Sequence, residues 1–285
     1  MKKQLIAAVI ALIFAGFACS LQNFQMETAE TQTLNVASPL PENQNETEIA
    51  LNMTGGKLTL SSGANDLING TITYNVKQWE PEFTHRENLF KINQADPLKL
   101  TGIPTGDVVN NWDLSLSNAV PINLSIEGGA SENIIDLTGL QLTGLSIIQG
   151  ASQTKIRFDA PNPILMENFS FTTGVSSAEI FGLANANFQT MTFSGGAGDY
   201  TLDFSGTLTH DSTVNIKVGA SSLRIIIPSG MNAVINSQST VSNFNTEGTW
   251  LLTNDTYATI QDGYTLTINL DLAVGNVKLI HENGE

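Results

Sequence analysis

A pattern of alternating apolar and polar residues ending in a glycine recurs between residues 124 and 227, with a period of 21 to 24 residues. Residues five and three positions before each glycine are apolar, and the residue between them is small or polar. This period of two is typical of a β-strand with one buried face. The five anchoring glycines are Gly129, Gly150, Gly174, Gly196 and Gly219. Such a repeat can bury its apolar face only against its neighbours, so the sequence predicts an all-β fold, a β-solenoid of stacked coils with a 21–24 residue repeat.

The register of the copies predicts which side chains meet in the stack. In an in-register parallel stack, equal positions of neighbouring coils lie about 4.8 Å apart. On the outer surface this spacing brings Asp136 beside Arg157 and Lys155 beside Glu179, as pairs of opposite charge. Inside, the residues three positions before the glycines are expected to form one buried column: Ile126, Ile147, Phe171, Phe193 and Ile216.

The same apolar offsets before a glycine occur on both sides of the five copies, at Gly63 and at Gly275. We therefore predict end coils anchored at these two glycines. Residues 50–110 are expected to form an N-terminal β module, and residues 111–285 the β-solenoid body. The segment from Trp79 to Asn111 is the least periodic part of the chain, so it is the predicted place for a binding site, because irregular loops often carry function.

The N-terminus has the layout of a bacterial signal peptide. Two lysines precede an apolar run from Leu5 to Phe17, which is short for a membrane span and suits a signal peptide. The end of that run, Gly16-Phe17-Ala18-Cys19, resembles a lipobox, so residues 1–19 are the predicted signal peptide and Cys19 the predicted site of lipid attachment. Two alternatives are ordinary cleavage after Ala18 and an uncleaved anchor that continues through Leu21.

Residues 20–49 are rich in Gln, Asn, Thr and Glu and contain no Lys or Arg. This composition predicts a disordered tether between the membrane and the folded body. Cys19 is the single cysteine of the chain, so the body contains no intramolecular disulfide.

Composition and motifs exclude several function classes. The formal net charge is −15 and the 12 Lys and Arg residues are scattered, which argues against a nucleic-acid partner. The segment Gly195–Asp199 is similar to one turn of a calcium-binding β-roll. Calcium needs six or more oxygen ligands, normally from two adjacent turns, and the chain has one copy, so these glycines are expected to serve a tight corner. We predict no catalytic residue, no cofactor and no metal ligand.

Several segments carry a family resemblance. Residues 58–70 (LTLSSGANDLING) with Tyr74-Asn75 resemble the N-terminal module of the bacterial toast-rack family. Residues 111–116 (NWDLSL) and the Gly-Ala-Ser triplets at Gly150 and Gly219 resemble its β-solenoid body, which is similar to candidate adhesins and to cell-wall-active antibiotic response proteins. The resemblance extends from about residue 50 to the C-terminus. It implies a β-solenoid at the cell envelope without assigned enzymatic chemistry.

The predicted function is that of a non-enzymatic cell-envelope lipoprotein, extracytoplasmic and held at the membrane by its N-terminal lipid. Its solenoid surface would make structural or adhesive contacts with a protein or a glycan, and exposed Phe181 and Ile226 would suit such a surface. The alternative is a carbohydrate-active enzyme, a polysaccharide lyase or hydrolase on a parallel β-helix, which needs converging carboxylates. The candidate acids for that chemistry are Asp136, Asp159, Asp199 and Asp203.

Overall fold

β-Strands account for most of the chain that the structure describes. The computed structural model describes residues 25–94, 103–238 and 241–282. Short 3-10 turns lie at Lys77–Trp79 and Leu183–Ala186. The strands of the described residues are, in chain order, β1 (Gln25–Glu27), β2 (Gln32–Ser38), β3 (Thr47–Ala64), β4 (Ile68–Tyr74), β5 (Glu82–Arg86), β6 (Leu89–Asn93), β7 (Ile103–Thr105), β8 (Asn110–Ser117), β9 (Pro121–Asp136), β10 (Gln141–Arg157), β11 (Met166–Phe181), β12 (Phe188–Asp203), β13 (Ser212–Ile227), β14 (Asn232–Ser237), β15 (Val241–Glu247), β16 (Leu251–Thr253), β17 (Thr256–Thr259) and β18 (Thr265–His281).

Seven long strands of 16 to 18 residues form the stack. They pair in parallel in the order β3-β9-β10-β11-β12-β13-β18. Each coil bends near the middle of its strand, where the anchor residue and the residue after it break the strict alternation of buried and outward positions, as at Gly150 and Ala151. The N-terminal halves form a first face, the C-terminal halves form a second face, and the apolar core lies between them. The architecture confirms the predicted all-β solenoid and its repeat.

The two faces separate at both ends of the stack. Before β3, the first face continues into β6 and β5, whereas the second face continues into β8, β4 and β2. After β18, the first face continues into β14, β17 and β16, and the second face into β15. The ends of the stack therefore contain most of the short strands that the structure describes.

The predicted inner column is present. Its members are register partners in neighbouring strands and are at most 2% exposed. The rings of Phe171 and Phe193 stack at 5.1 Å with an angle of 2° between them. Leu51 and Leu270 extend the column into the first and last coils. One continuous apolar seam thus runs through the whole stack.

At the glycine anchors, neighbouring coils approach each other too closely for a side chain. A β-carbon built at Gly150 or Gly174 would lie 2.9 Å from the carbonyl oxygen of the preceding anchor, and one at Gly219 would lie 2.6 Å from it. Contacts this short do not occur for real β-carbons, so a side chain at these positions would push the coils apart. The recurring glycine marks the close approach of successive bends.

The predicted anchors of the two end coils are wrong. In the first coil, Thr54 lies opposite Gly129, the anchor of β9. This follows from the register on either side, where Met53 pairs with Gly128 and Gly55 pairs with Ala130. In the last coil, Ala273 lies opposite the anchor of β13. The error arises because apolar alternation continues on both sides of every bend. The apolar pairs before Gly63 and Gly275 therefore have the correct spacing but do not mark a bend.

The prediction of a disordered tether is wrong from Gln25 onward. Strand β2 pairs in antiparallel fashion with β4, and its Val36 is 3% exposed while Leu34 packs against the core. Leu34 and Val36 alternate with polar residues, so the segment has a strand pattern within a composition that is otherwise typical of disorder. Strand β1 pairs in parallel with β7. The folded body therefore starts earlier than residue 50.

The boundary expected between residues 110 and 111 falls within one sheet. Strand β8 starts at Asn110 and pairs with β3, and β3 also pairs with β9. The expected N-terminal module and the solenoid body are thus joined by continuous strand pairing. The predicted signal peptide, with Cys19, lies outside the described residues. Among the described residues, no helix has the length and apolar character needed to cross a membrane.

Candidate functional site

A cavity of about 840 Å³ lies beside the bend at the N-terminal end of the stack. We call it the corner cavity. One wall comes from residues 77–82 and from the end of β6, and consists of Lys77, Gln78, Glu80, Pro81, Glu82, Asn93 and Gln94. The other wall comes from β3, β9 and β10 and consists of Asn52, Met53, Thr54, Glu127, Gly128, Gly129 and Ile148. The volume falls in the range of ligand-binding sites, and the segment that the sequence singled out for a site supplies most of one wall.

A 3-10 turn, Lys77–Trp79, positions the irregular wall. Trp79 and Val76 are buried together, and the backbone N–H of Trp79 donates to the carbonyl oxygen of Val76 at 2.8 Å. Pro81 is buried as well, whereas Lys77 and Glu80 are exposed. The apolar residues therefore hold the segment against the body while its charged residues stay at the surface.

Two buried amide side chains, Gln94 and Asn110, close the gap where the two faces separate. Gln94 Nε2 donates to Asn110 Oδ1 at 2.8 Å and to the carbonyl oxygen of Trp79 at 2.7 Å. Gln94 Oε1 accepts from the backbone N–H of Thr54 at 3.1 Å, and Asn110 Nδ2 donates to the carbonyl oxygen of Gly55. These amides satisfy backbone groups of β3 beyond the point where its pairing with β6 stops. They also tie the irregular segment to the first coil.

The wall formed by β3, β9 and β10, which we call the stacked wall, has three neighbouring side chains with different chemistry. Asn52, Glu127 and Ile148 are register partners in β3, β9 and β10, so they follow one another at about 4.8 Å. Asn52 Nδ2 donates to Asn93 Oδ1 at 2.8 Å, which joins the two walls. Ile148 is 46% exposed. A ligand in the corner cavity would therefore meet an amide, a carboxylate and an aliphatic surface in a row.

The charges of the corner cavity are mainly acidic. Glu80, Glu82 and Glu127 line it together with one cation, Lys77. Burial, and secondly the Glu80 carboxylate, raise the pKa of the Tyr74 phenol, which therefore stays protonated at neutral pH. Across the described ranges, no group of three or more His, Cys, Asp or Glu side chains is arranged to hold a metal ion. The corner cavity is suited to hydrogen bonding with a polar ligand.

The N-terminal part of the chain has the sequence of a known family. The family model for the N-terminal domain of toast_rack, DUF2154, matches residues 23–180. The chain belongs to the toast-rack family. The match includes β2, which lies in the region expected to be disordered, and every residue that lines the corner cavity.

This toast-rack protein is similar to several solved structures, and the first of them shares its fold. A candidate cell adhesion protein from Clostridium sporogenes is 16% identical with a TM-score of 0.52, and the match covers 89% of this chain and 100% of that chain. A candidate adhesin from Bacteroides fragilis is 7% identical with a TM-score of 0.36, and the match covers 89% of this chain and 99% of that chain. Among curated proteins, no match is found. The first of these structures confirms the fold class.

The second face of the toast-rack body carries the predicted ladder of charges. Arg157 Nη2 lies 2.6 Å from Asp136 Oδ2, and Lys155 Nζ lies 3.5 Å from Glu179 Oε2. Lys155 Nζ also lies 4.9 Å from the centre of the Phe181 ring, which is half-buried. Both predicted pairs are present. Each pair is exposed, so it contributes about 0 to 1 kcal/mol to the free energy of unfolding. The ladder is therefore better evidence for the strand register than for a stabilising role.

Asp136, on the second face, accepts hydrogen bonds from Thr138 and Arg157. Partial burial pushes its pKa up, but hydrogen bonds from the side chain and backbone of Thr138 and from Arg157 outweigh burial, so the pKa lies below its ordinary value. The backbone N–H of Thr138 donates to Asp136 Oδ1 at 3.1 Å. Asp136 is therefore a charged structural residue at neutral pH.

The four acids proposed for the enzymatic alternative do not converge on one point. Asp136 and Asp203 hold the same position in β9 and β12, which are three coils and about 14 Å apart. Asp159 lies 3.6 Å from Arg157, which it shares with Asp136. Asp203 Oδ1 accepts the backbone N–H of Ser205 at 2.7 Å. Asp136, Asp159 and Asp203 are thus engaged in local contacts, and the acids are distributed along the second face.

The glycines of Gly195–Asp199 have a packing explanation. A β-carbon at Gly195 would lie 2.7 Å from the Tyr200 hydroxyl oxygen, because the tyrosine ring fills the inside of this bend. Tyr200 is 2% exposed and Asp199 is exposed. Gly195 and Gly198 leave room for the ring, and Gly196 allows the close approach to Gly174, in keeping with the expected tight corner.

Sequence reasoning missed the stacked wall of the corner cavity. Glu127 and Ile148 stand two positions before their glycine anchors, where alternation directs side chains outward. The sequence alone predicts that these side chains point outward. Only the fold shows that residues 77–82 lie opposite them and so make them one wall of the corner cavity. Asn52 was missed for a further reason, because the bend of the first coil lies at Thr54 and not at the predicted glycine.

Proposed function

We propose that this protein is a non-enzymatic envelope protein that binds an extracellular glycan in the corner cavity and is anchored by lipid at Cys19. One observation carries the proposal: a cavity of about 840 Å³ lies between residues 77–82 and the outer surface of the regular stack. Membership of the toast-rack family and the shared fold of a candidate adhesion protein support a role at the cell envelope.

The chemistry of the corner cavity favours a glycan over an apolar ligand. The amides of Asn52 and Asn93 can donate hydrogen bonds to sugar hydroxyls and accept hydrogen bonds from them, and the Glu127 carboxylate can accept hydrogen bonds from them. Ile148, which is 46% exposed, offers a small apolar surface for the ring carbons. A few placed polar groups with apolar surface between them are typical of specific small-ligand sites.

Binding of defined oligosaccharides to the purified full-length chain in detergent tests the glycan role. The probes are neutral, acidic and amino-sugar oligosaccharides of two to six units, measured by calorimetry. We expect one class to bind, and Glu127→Gln to weaken its binding about tenfold by removing a charged acceptor. Glu179→Gln, a matched change on the second face, should leave binding unaltered. The glycan role is refuted when no class binds or when both variants bind like the wild type.

The same samples test the enzymatic alternative. After prolonged incubation, the oligosaccharides are separated by size and their reducing ends are measured. Unchanged chain lengths are expected, because the acids of the second face are spread along the stack. Cleavage that disappears in the variant carrying Asp136→Asn and Asp203→Asn would overturn the non-enzymatic part of the proposal.

Fractionation of cells that express the Cys19→Ser variant tests the anchor. The wild type should partition with membranes, and the variant should appear in the soluble extracytoplasmic fraction, because the thiol that would carry the lipid is absent. Retention of the variant in the membrane fraction would refute lipid attachment at Cys19 and favour an uncleaved anchor. Ser20→Ala is the matched control and should stay with the membrane.

A further inference from the structure

The outward side chains of the stacked wall continue far beyond the corner cavity. They occupy the position two residues before the anchor in the seven strands of the stack, and Asn93 of β6 extends this unbroken row of register partners to eight strands. We call this row and the anchors beside it the bend groove. Seven strand spacings of about 4.8 Å give it a length of about 34 Å. The row consists of Asn93, Asn52, Glu127, Ile148, Thr172, Ser194, Lys217 and Asp271.

A second depression lies in the same row toward the other end of the stack. It has a volume of about 380 Å³ and is lined by Thr172, Ser194, Lys217 and Asp271 of the row, among others. Ile148, the last residue of the row in the corner cavity, is the register partner of Thr172, the first residue in the second depression. The two depressions therefore belong to one track along the bend.

The anchor glycines have no side chains that would project into the bend groove. The second depression includes Gly219 and its equivalent in the last coil, Ala273, as the corner cavity includes Gly129. At Gly219 a side chain would collide with the neighbouring coil, because a β-carbon there would lie 2.6 Å from the carbonyl oxygen of Gly196, and Ala273 adds only a methyl group in the last coil. Close packing of the coils thus leaves a strip without tall side chains beside a row of polar ones.

The direction of the bend groove restricts what can lie in it. It runs across the strands, so a peptide within it could not add as a further strand, since strand addition needs a chain parallel to the sheet edge. Contacts must come from side chains, one per coil, at about 4.8 Å intervals. Most of these side chains are hydroxyl, amide or carboxylate groups. A linear polymer with hydroxyl groups on every unit matches such a row.

We propose that the bend groove binds a linear polysaccharide along the solenoid axis, with one end in the corner cavity. This inference rests on the proposed glycan function and extends it from a local site to a track. A chain that fills the track contacts every coil of the stack. Affinity should therefore rise with polymer length until the chain spans about 34 Å.

A distal double variant, Thr172→Ala with Ser194→Ala, tests the track. These residues lie three and four coils beyond Asn52, about 14 and 19 Å away. The matched control is Ser170→Ala with Thr192→Ala, which removes the same two residue types from the same two strands, two positions earlier. Calorimetry on the full-length chain uses a disaccharide and a long chain of the class that binds.

We expect the distal variant to bind the long chain about tenfold more weakly than the wild type and to bind the disaccharide equally well. The control should bind both like the wild type. The proposed track is refuted if the wild type binds the disaccharide and the long chain equally well, or if the distal variant and the control bind alike. Either result leaves the proposed glycan site in the corner cavity intact. Loss of all binding by the wild type would instead refute the glycan function itself.

Discussion

Replacing an anchor glycine with alanine sets two opposing effects against each other. Alanine restricts the unfolded chain, which stabilises a protein by about 0.4–1 kcal/mol when the folded backbone tolerates it. At the bends, however, the added β-carbon meets the carbonyl oxygen of the preceding coil. Overpacking of this kind costs about 1–3 kcal/mol. The sign of the change in unfolding free energy therefore reports how closely two coils approach.

The structure ranks the anchors by this distance. The added β-carbon would lie 2.9 Å from the oxygen at Gly150 and at Gly174, 2.6 Å at Gly219, and closer still at Gly196. At Gly150 the two effects nearly cancel, so we expect a change within about 1 kcal/mol. At Gly196 the clash dominates, and we expect a loss of about 1–2 kcal/mol.

Guanidinium unfolding followed by circular dichroism measures both variants, with equal m-values required for the comparison. Ala273→Gly is the control, since Ala273 holds the anchor position of the last coil with its side chain already accommodated. It should lose about 0.4–1 kcal/mol through the unfolded chain alone. Equal or greater stability of Gly196→Ala than of Gly150→Ala would refute the close-approach argument.

Further predictions concern the core, the amide pair and the charge ladder, all measured by the same unfolding assay. Phe193→Ala removes a buried ring stacked on Phe171 and should cost about 3–5 kcal/mol, and a loss below about 1 kcal/mol would contradict the inner column. Asn110→Ala leaves buried backbone and amide partners unpaired and should cost about 2–3 kcal/mol, whereas a neutral result would show that other groups replace it. Thr173→Val should keep or raise stability, because the buried Thr173 hydroxyl has no hydrogen-bond partner among the described residues, and a marked loss would show that it is paired. The lowered pKa of Asp136 means that its contribution is present above the ordinary carboxyl pKa and is lost as pH falls through the folded value. Asp136→Asn should therefore lose up to about 1 kcal/mol at pH 7 and nothing in strong acid, and an equal loss at both pH values would contradict this account.

The regular stack was predictable because its contacts repeat. In a parallel in-register solenoid, each residue meets the residue one period away, so a local pattern also specifies its neighbours across coils. The partnership of Asp136 with Arg157 and the burial of Phe171 beside Phe193 follow from counting alone. The predicted register was wrong at the end coils, because apolar pairs before and after a bend have the same spacing.

The candidate site was only half predictable. Loss of periodicity after Tyr74 marked the irregular segment, which supplies one wall of the corner cavity. The other wall belongs to the regular stack. Its Asn52 donates a hydrogen bond to Asn93, which is 41 residues away in the sequence. No local pattern encodes which coil an irregular segment will cover, because that depends on packing between residues far apart in the chain.

By itself, the amino-acid sequence determined the repeat, the buried column and the opposite charges of the second face, since alternation and period are local properties that stacking propagates. Only the tertiary structure decided that β2 pairs with β4, that the first bend lies at Thr54 and that Gln94 and Asn110 close the gap between the faces. Each of these features pairs segments outside the repeat, where hydrogen-bonding groups must find partners that no period predicts.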